Sequence, residues 1–314
     1  MQIYYQNVRG MRTKLRDLLL SVSDCDYDVI VFSETWLNQD IHDSELGMDG
    51  YNIYRKDRSE LTSLKCWGGG VMIAVRGCYQ SFLIINEQES VEHIFVSVCS
   101  GSEKMIVGAV YLPQPLSVDT VQAHCSAIDS LLQRYPKHDL CLLGDYNLPN
   151  VNWINDDLGV RASRDNREVV KLLSDCFAYN QLFQVNSISN SNNVMLDLVF
   201  VHDKLVNVNI ANECLLPCDQ HHPALTIEVP RSSRNSDLQY DTYSYNFKAA
   251  DYAMLNDFFK RVSQQMKFYG SINVPEVYLF WPLFYFTAAF LLYSRFCKQS
   301  HYEGSLLDTF NLLI

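Results

Sequence analysis

Polar residues suited to phosphoester chemistry follow an apolar run in the middle of the chain. Residues 140–143 are typical of a short buried strand and lead into Gly144, Asp145 and Asn147. Asp145 and Asn147 are two residues apart, so they project to the same side of an extended chain. A carboxylate and an amide placed in this way can bind a metal-activated water and a phosphate oxygen. We expect Gly144 to let the chain turn where the strand ends. An ordinary strand exit favours the same residue types, so this pattern alone leaves both interpretations open.

Further apolar stretches also end in, or carry, polar side chains. In chain order these side chains are Asn7, Glu34, Tyr111, Asp197, Asp219, His221 and His222. A buried carboxylate is costly unless it is paired, so Glu34 and Asp197 are unusual as purely structural residues. Tyr111 precedes Leu-Pro and is also compatible with a core tyrosine. Together the set supplies carboxylates for a hard divalent cation and an imidazole for phosphate charge.

The order of these motifs (Asn, Glu, Tyr, Gly-Asp-x-Asn, Asp, Asp-His) resembles the endonuclease/exonuclease/phosphatase superfamily over about residues 1–229. The segments that resemble the endonuclease domain of non-LTR (LINE-like) retrotransposons are 7–14, 33–37, 54–58, 67–71 and 110–113. Residues 245–252 resemble the connector before reverse transcriptase, and no Tyr-x-Asp-Asp motif follows. We therefore expect the N-terminal fragment of such a polyprotein, truncated before reverse transcriptase, or a gene derived from one.

Strand patterns outnumber helical ones, and this balance predicts a layered α/β or α+β domain. The predicted strands are 2–6, 28–33, 70–75, 94–99, 105–111, 139–143, 195–201, 206–211 and 224–229, and the predicted helices are 11–22, 117–135 and 166–180. The resemblance implies a DNase I-like, four-layer α/β/β/α sandwich over residues 1–230. We expect a linker over 231–245 and a helical connector over 246–314.

The resemblance implies a metal centre that binds Mg²⁺, with Mn²⁺ as an alternative. Glu34 is the expected first ligand, and Asn7 and Asp219 are expected beside it. A hard divalent cation prefers oxygen ligands of this kind and neutralises charge on a scissile phosphate.

The resemblance also assigns roles around the attacking water and the phosphate. Asp145 positions or deprotonates the water, and Asn147 donates a hydrogen bond to the phosphate or to that water. Tyr111 bonds a phosphate oxygen. A histidine stabilises the charge that develops on the phosphate, and Asp197 accepts the other ring N–H of that histidine.

Two departures from the family pattern concern the late motifs. The family usually ends in adjacent Ser-Asp-His, whereas Gln220 here separates Asp219 from two histidines. Alignment on the following Pro-Ala-Leu makes His222 the catalytic residue, and alignment by closeness to Asp219 makes it His221. We prefer His222, because the strand after it fixes its position. The Ser or Thr that commonly precedes the late Asp is absent, which leaves an inactive copy as an alternative.

The net charge of the chain and its local basic segments favour different conclusions about nucleic-acid binding. The net charge of −11 argues against a protein that binds nucleic acid mainly through bulk charge. Two local basic groups nevertheless follow strand ends, where they could contact phosphates. The candidate DNA contacts are Arg9, Arg12, Lys14, Arg55 and Arg58. A solvated helix face and an ordinary charged loop are the alternatives.

Cysteine usage and one apolar segment bear on location. Ten cysteines lie scattered without a Cys-x-x-Cys pair, and Cys214 and Cys218 lack a zinc-ligand set. We expect reduced, buried thiols in an intracellular protein of the nucleus and cytoplasm. Residues 277–293 are uncharged and apolar, but their length is at the lower limit for a membrane span and Pro282 interrupts them. We expect an exposed, aggregation-prone segment, and a helix that packs on a missing part of the polyprotein and a membrane span are the alternatives.

The leading functional hypothesis is a Mg²⁺-dependent endonuclease that nicks one strand of DNA, as in target-primed retrotransposition, without a small-molecule cofactor. One alternative is a phosphatase acting on phosphoinositides or another small phosphoester. A second is a catalytically inactive retroelement remnant that acts as a binding module. The basic segments and the connector-like sequence favour DNA.

Overall fold

The computed structural model describes residues 1–63, 65, 67–157, 159–163, 165–230 and 260. All but the last lie in one compact unit, Met1–Ser233. The strands are β1 Gln2–Asn7, β2 Val29–Ser33, β3 Tyr51–Lys56, β4 Val71–Arg76, β5 Gln80–Ile84, β6 Glu92–Ser100, β7 Glu103–Tyr111, β8 Asp139–Asp145, β9 Asn152–Asn155, β10 Val160–Ser163, β11 Phe183–Gln184, β12 Asp197–Val201, β13 Asn207–Ile210 and β14 Leu225–Glu228. The α-helices are α1 Leu15–Ser23, α2 Val118–Arg134 and α3 Glu168–Tyr179, and a 3₁₀ turn spans Asp43–Leu46.

Two six-stranded sheets form the centre of this unit. The first has the order β13-β14-β1-β2-β4-β3 and the second β11-β12-β8-β7-β6-β5, while β9 and β10 form a separate hairpin. The pairs β1–β2 and β7–β8 are parallel, and the other pairs within the two sheets are antiparallel.

Strand β2 shows how the sequence produces layers. Val29 and Val31 point into a core shared with the second sheet, whereas Ile30 and Phe32 pack with α1 on the opposite face. The central strands are therefore buried on both faces, which explains why they read as continuous apolar runs. Helices α2 and α3 cover the outer face of the second sheet. The predicted four-layer α/β/β/α sandwich is confirmed.

The structure corrects several predicted element boundaries. Helix α1 begins at Leu15 rather than at residue 11, because residues 11–14 form a turn closed by the Lys14 N–H and the Met11 carbonyl. The sequence analysis missed β3, β5, β9, β10 and β11. In β3 and β5 most side chains are exposed or only half-buried, so neither strand carries the apolar run of a central strand.

The prediction for Gly144 was wrong. Strand β8 continues through Asp145, and Gly144 lies inside it rather than at a turn. A Cβ at this position would collide with the carbonyl oxygen of Val110 on β7. Glycine is required here because two backbones approach closely, and the turn follows at Asn147, whose φ is +49°.

The expectation of reduced, buried thiols was wrong in part. Cys214 and Cys218, both exposed, form a disulfide with a Cα–Cα distance of 6.2 Å. Among the described free cysteines, Cys125 and Cys141 are buried and Cys78 is exposed. A four-residue spacing permits a bridge only if the intervening chain folds back, and sequence spacing does not reveal this.

The predicted linker over 231–245, the connector over 246–314 and the apolar segment 277–293 lie outside the described residues apart from Lys260, which is helical. Within the part of the chain that the structure describes, no helix is long and apolar enough to cross a membrane.

Candidate active site

The ends of strands from both sheets converge on one site. Asn7 ends β1 and lies opposite Ser33 at the end of β2, so Glu34 follows beside it. In the second sheet, Tyr111 and Asp197 both lie opposite Asp145. Parallel neighbours end at the same edge of a sheet, and the antiparallel strand β12 starts there. The pairing pattern therefore brings these side chains to one edge.

A carboxylate–amide cluster forms the centre of the site. The Asn7 side-chain amide donates to Glu34 Oε1 and to Asp145 Oδ2, each at 3.0 Å. The indole N–H of Trp36 donates to Glu34 Oε2 at 3.2 Å. Glu34 has a φ of +53°, a left-handed conformation that is uncommon for a residue with a side chain and that recurs at functional sites.

This cluster is chemically suited to a divalent cation. Ligand atoms of Glu34, Asp145 and His222 all lie within 4.8 Å of one another. The carboxylates of Glu34 and Asp145 are hard oxygen donors of the kind that Mg²⁺ prefers. Asp145 is only 1% exposed, so its ionised form needs a neighbouring positive charge. Glu34 and Asp145 are thus the residues that would hold the ion. The Asn7 oxygen accepts the Arg9 N–H, and the role of Asn7 as a metal ligand remains a prediction.

A buried histidine faces this cluster. Nδ1 of His222 lies 2.9 Å from Asp197 Oδ2, and Nε2 lies 3.9 Å from Asp145 Oδ2. The other oxygen of Asp197 accepts a hydrogen bond from the Tyr5 hydroxyl at 2.7 Å, and that hydroxyl contacts Ser33 Oγ at 2.8 Å. This arrangement fixes the imidazole with Nε2 directed towards the carboxylate cluster.

Burial and neighbouring charges shift the pKa values of His222 and Asp145. Burial acts to lower the pKa of His222, but the hydrogen bond and the charge of Asp197 outweigh it and raise the pKa to about 9. The ring is therefore an imidazolium at neutral pH. Burial, followed by the charge of Asp197, raises the pKa of Asp145 well above its usual range. A carboxylate with a raised pKa is a better proton acceptor.

Asn147 and Tyr111 border the cluster. The backbone N–H of Asn147 donates to Asp145 Oδ1 at 2.9 Å, and its side-chain amide donates to the Leu112 carbonyl at 3.0 Å. Burial raises the pKa of the half-buried Tyr111, and the charges of Glu34 and Asp145 act in the same direction. Both residues lie where the sequence predicted, and their contacts with a phosphate remain predictions.

Asp219 and His221 occupy a different position from His222. Asp219 Oδ2 pairs with Arg9 Nη1 at 2.8 Å, and Oδ1 accepts the backbone N–H of His221 at 2.7 Å. The His221 ring contacts Asn192 at 3.3 Å. Asp219 is not part of the carboxylate–histidine cluster found among the described residues. Its role as a metal ligand therefore remains a prediction.

The candidate DNA contacts differ in how free their charges are. Arg12 is exposed, and Lys14 Nζ donates to the Val8 carbonyl at 2.6 Å. Arg9 is half-exposed, pairs with Asp219 at 2.8 Å and lies within electrostatic reach of Glu34. All three remain predicted DNA contacts.

Two other predicted DNA contacts already make internal ion pairs. Arg55 pairs with Asp43 and Asp57, each at 3.2 Å. Arg58 pairs with the buried Glu92 at 2.6 Å. Their contacts with DNA also stay predictions.

Sequence reasoning missed the residues that support the site. The Tyr5 hydroxyl donates to the Asp197 side chain and contacts the Ser33 hydroxyl, and the Asn186 side chain donates to the Asp197 carbonyl at 2.7 Å. Glu92 accepts the Gly70 N–H at 2.7 Å and so anchors the loop before β4. A usable signal was Tyr5, which places a hydroxyl on the inner face of an apolar strand, where it needs a partner.

The fold and the site together define a phosphoester hydrolase scaffold. The model of the endonuclease/exonuclease/phosphatase family matches residues 5–213, more than half of the chain. The chain belongs to the endonuclease/exonuclease/phosphatase family. Members of this family are hydrolases acting on phosphodiesters or phosphate esters, and they usually use a divalent metal.

Two solved structures with a TM-score above 0.5 agree on the fold. The endonuclease domain of TRAS1, a telomere-specific non-LTR retrotransposon, is similar with a TM-score of 0.51 and 10% identity, covering 72% of this chain and 96% of that chain. The AP endonuclease LMAP from Leishmania major has a TM-score of 0.51 and 13% identity, covering 72% and 86%. The 3′ phosphatase NExo from Neisseria, bound to a product DNA hairpin, has a TM-score of 0.49 and 16% identity, covering 74% and 100%. No curated protein matches the chain.

Proposed function

We propose that this protein is a divalent-metal-dependent endonuclease that hydrolyses a DNA phosphodiester and nicks one strand, as in target-primed retrotransposition. The observation that carries the proposal is the convergence of Glu34, Asp145 and His222, with Asp197 bonded behind the histidine. Membership of the family supports phosphoester hydrolysis. The exposed Arg12, and Arg9 in its half-exposed pair with Asp219, lie close in sequence to Asn7 and favour a polyanionic substrate.

We assign a task to each group. Asp145 holds the attacking water and accepts its proton as the water oxygen bonds to phosphorus. The bond from phosphorus to the 3′ oxygen breaks and the leaving oxygen takes a proton from solvent, which yields a 3′-hydroxyl and a 5′-phosphate. The His222 imidazolium stabilises the negative charge on the phosphate oxygens during this step, and Asp197 keeps the ring in place. A bound Mg²⁺, held by Glu34 and its neighbours, would neutralise phosphate charge.

A plasmid-nicking assay tests the proposal. Supercoiled plasmid is incubated with the protein in Mg²⁺, in Mn²⁺ and in EDTA, and open-circle product is measured. We expect nicking with either ion and none in EDTA. Glu34→Gln removes the anchoring carboxylate charge and should reduce nicking by at least about 10²-fold, the scale of losing one group that stabilises the transition state.

Glu228→Gln is the matched control. Glu228 is exposed and is the strand partner of Gln2, which lies at the far end of β1 from Asn7. It should nick at the parental rate. Nicking in EDTA, or full activity of Glu34→Gln, would contradict the metal assignment. Phosphate release from a phosphoinositide without any nicking would replace the endonuclease with a phosphatase.

A further inference from the structure

Two exposed tryptophans lie in adjoining loops, and one of them, Trp36, contacts the candidate active site. Trp36 keeps 42% of its surface exposed and Trp67 keeps 78%. The catalytic scheme above uses neither ring. Exposed indoles beside a cluster of buried polar groups are unusual, because burial of a tryptophan ring is strongly favourable.

The two tryptophans belong to loops that contact each other. The backbone N–H of Trp36 donates to the Gly69 carbonyl at 2.9 Å. A Cβ at Gly68, the residue after Trp67, would lie 3.7 Å from the Trp36 indole nitrogen. The two rings therefore project from adjacent backbone segments.

The Trp36 ring is held against the site in a defined position. Its N–H donates to Glu34 Oε2 at 3.2 Å. A Cβ at Gly10 would come within 2.7 Å of the six-membered ring, so the Gly10 backbone lies directly against the indole. Gly10 thus covers one part of the Trp36 ring. The exposed part of the ring lies next to the Glu34 carboxylate.

Side chains of Arg58 and Glu92 hold the backbone next to Trp67. Arg58 Nη1 donates to the Trp67 carbonyl at 2.7 Å, and Arg58 itself pairs with the buried Glu92. The Glu92 carboxylate also accepts the Gly70 N–H. These bonds hold the backbone on both sides of Gly69, so the exposed ring is presented on an ordered support.

We infer that Trp36 and Trp67 form a stacking surface for an unpaired nucleobase next to the scissile phosphate. The inference rests on the proposed nuclease function and specifies its substrate class, namely DNA that is unpaired or easily unpaired at the cleavage position. Aromatic rings stack on any base irrespective of sequence, and such stacking supplies affinity that an acidic protein cannot obtain from bulk charge. Unpairing a base has a cost that is smallest at mismatches and bulges, so those sites should be preferred.

Binding without metal separates this inference from the proposed chemistry. Affinity is measured in EDTA by fluorescence anisotropy, for a labelled duplex and for the same duplex with a two-nucleotide bulge. The wild-type protein should prefer the bulged duplex. Trp36→Leu and Trp67→Leu should each weaken binding to the bulged duplex by roughly 5- to 150-fold, the range for loss of one stacked base.

Phenylalanine variants distinguish stacking from support of Glu34. Trp36→Phe keeps a flat ring but loses the N–H that contacts the Glu34 carboxylate. It should keep most of the affinity for the bulged duplex in EDTA, as should Trp67→Phe. Trp153→Phe is the matched control, because Trp153 is half-buried and packs edge-on against Phe200, so its replacement should leave binding unchanged. Urea midpoints confirm that each variant is folded.

Each outcome bears on one hypothesis or the other. If the protein nicks DNA and both leucine variants bind the bulged duplex like the parent, the stacking inference is overturned and the nuclease survives. Equal loss in the leucine and phenylalanine variants of Trp36 would assign that ring to positioning Glu34 and overturn its stacking role. If the wild-type protein neither binds nor nicks any DNA, both hypotheses fail.

Discussion

Among single residues, the adjacent histidines His221 and His222 differ in the side chains that they contact. His222 is buried and bonded to Asp197, whereas the His221 ring contacts Asn192 on the neighbouring loop. The backbone explains the difference, because the His222 N–H bonds the Asp219 carbonyl in a short antiparallel bridge that turns consecutive side chains to opposite sides. The geometry thus supports the alignment on Pro-Ala-Leu.

We predict that His222→Ala lowers the nicking rate by roughly 10²- to 10³-fold, because one preorganised charge-stabilising group is lost. His221→Ala should stay within a few-fold of the parent. Initial rates on supercoiled plasmid at saturating Mg²⁺ measure both. A severe loss in His221→Ala with a mild loss in His222→Ala would show that alignment by Asp219 was correct.

At the scale of elements, the site depends on the separation of two strands. β7 and β8 run parallel with Val110 opposite Gly144 and Tyr111 opposite Asp145. Gly144 permits the close approach of β8 to the β7 backbone, and Asp145 is the next residue. The position of the carboxylate is therefore set by a contact that only glycine allows.

We predict that Gly144→Ala destabilises the fold by about 1–3 kcal/mol, the usual cost of overpacking, and also lowers activity. The atom that a new Cβ would meet is the backbone oxygen of Val110 on β7, so relief of the clash must shift β7 and β8 apart and move Asp145 relative to Tyr111. Urea unfolding gives the stability, and plasmid nicking under strongly folding conditions gives the activity.

Gly108→Ala provides the comparison within the same sheet. The nearest atoms to a Cβ at Gly108 belong to the side chains of Leu142 and Phe95, which can adjust. This variant should lose stability but nick nearly normally once folded. Parental activity in folded Gly144→Ala would show that strand separation does not position Asp145.

At the scale of the whole molecule, the outer core of the second sheet contains an uncharged histidine pair. His93 on β6 and His124 on α2 are fully buried, with their Nδ1 atoms 2.8 Å apart. Burial lowers the pKa of His124 to about 3. Burial, and then the charge of His124, lowers the pKa of His93 well below its usual range. Both rings are neutral in the folded protein near neutral pH.

This pair should make the protein sensitive to mild acid. Between pH 6.5 and 5 the unfolded chain binds protons at both histidines and the folded protein does not, so the unfolding free energy should fall as pH falls. The limiting slope is about 1.4 kcal/mol per pH unit for each group. Asp145 and His222, whose folded pKa values are raised, act in the opposite direction, and each offsets at most one proton.

Urea unfolding followed by circular dichroism at pH 7, 6.5, 6, 5.5 and 5 measures the dependence. The double variant His93→Phe, His124→Leu should show a shallower slope below pH 6.5. His42→Asn changes an exposed histidine and should leave the slope unchanged. A stability that stays constant or rises from pH 6.5 to 5 would contradict the prediction.

Much of the architecture was readable from sequence because central strands are buried on both faces. The apolar runs that became β1, β2, β7 and β8 were predicted close to their observed ends, and so were α2 and α3. The polar residues at their ends were identified by type and spacing, because buried carboxylates and amides stand out against an apolar run. The edge strands β3 and β5 were not predicted, because a half-exposed strand mixes polar and apolar residues in a pattern that resembles a loop.

The amino-acid sequence alone predicted the layered fold, the positions of Asn7, Glu34 and Asp145 at strand ends, and the superfamily. The partners of the side chains became known from the tertiary structure. It placed His222 rather than His221 on Asp197, engaged Arg55 and Arg58 in internal ion pairs, joined Cys214 to Cys218 and gave Gly144 a packing role. The physical reason is that burial follows local periodicity, whereas a side chain's partner depends on strand register and on backbone approach between segments distant in sequence.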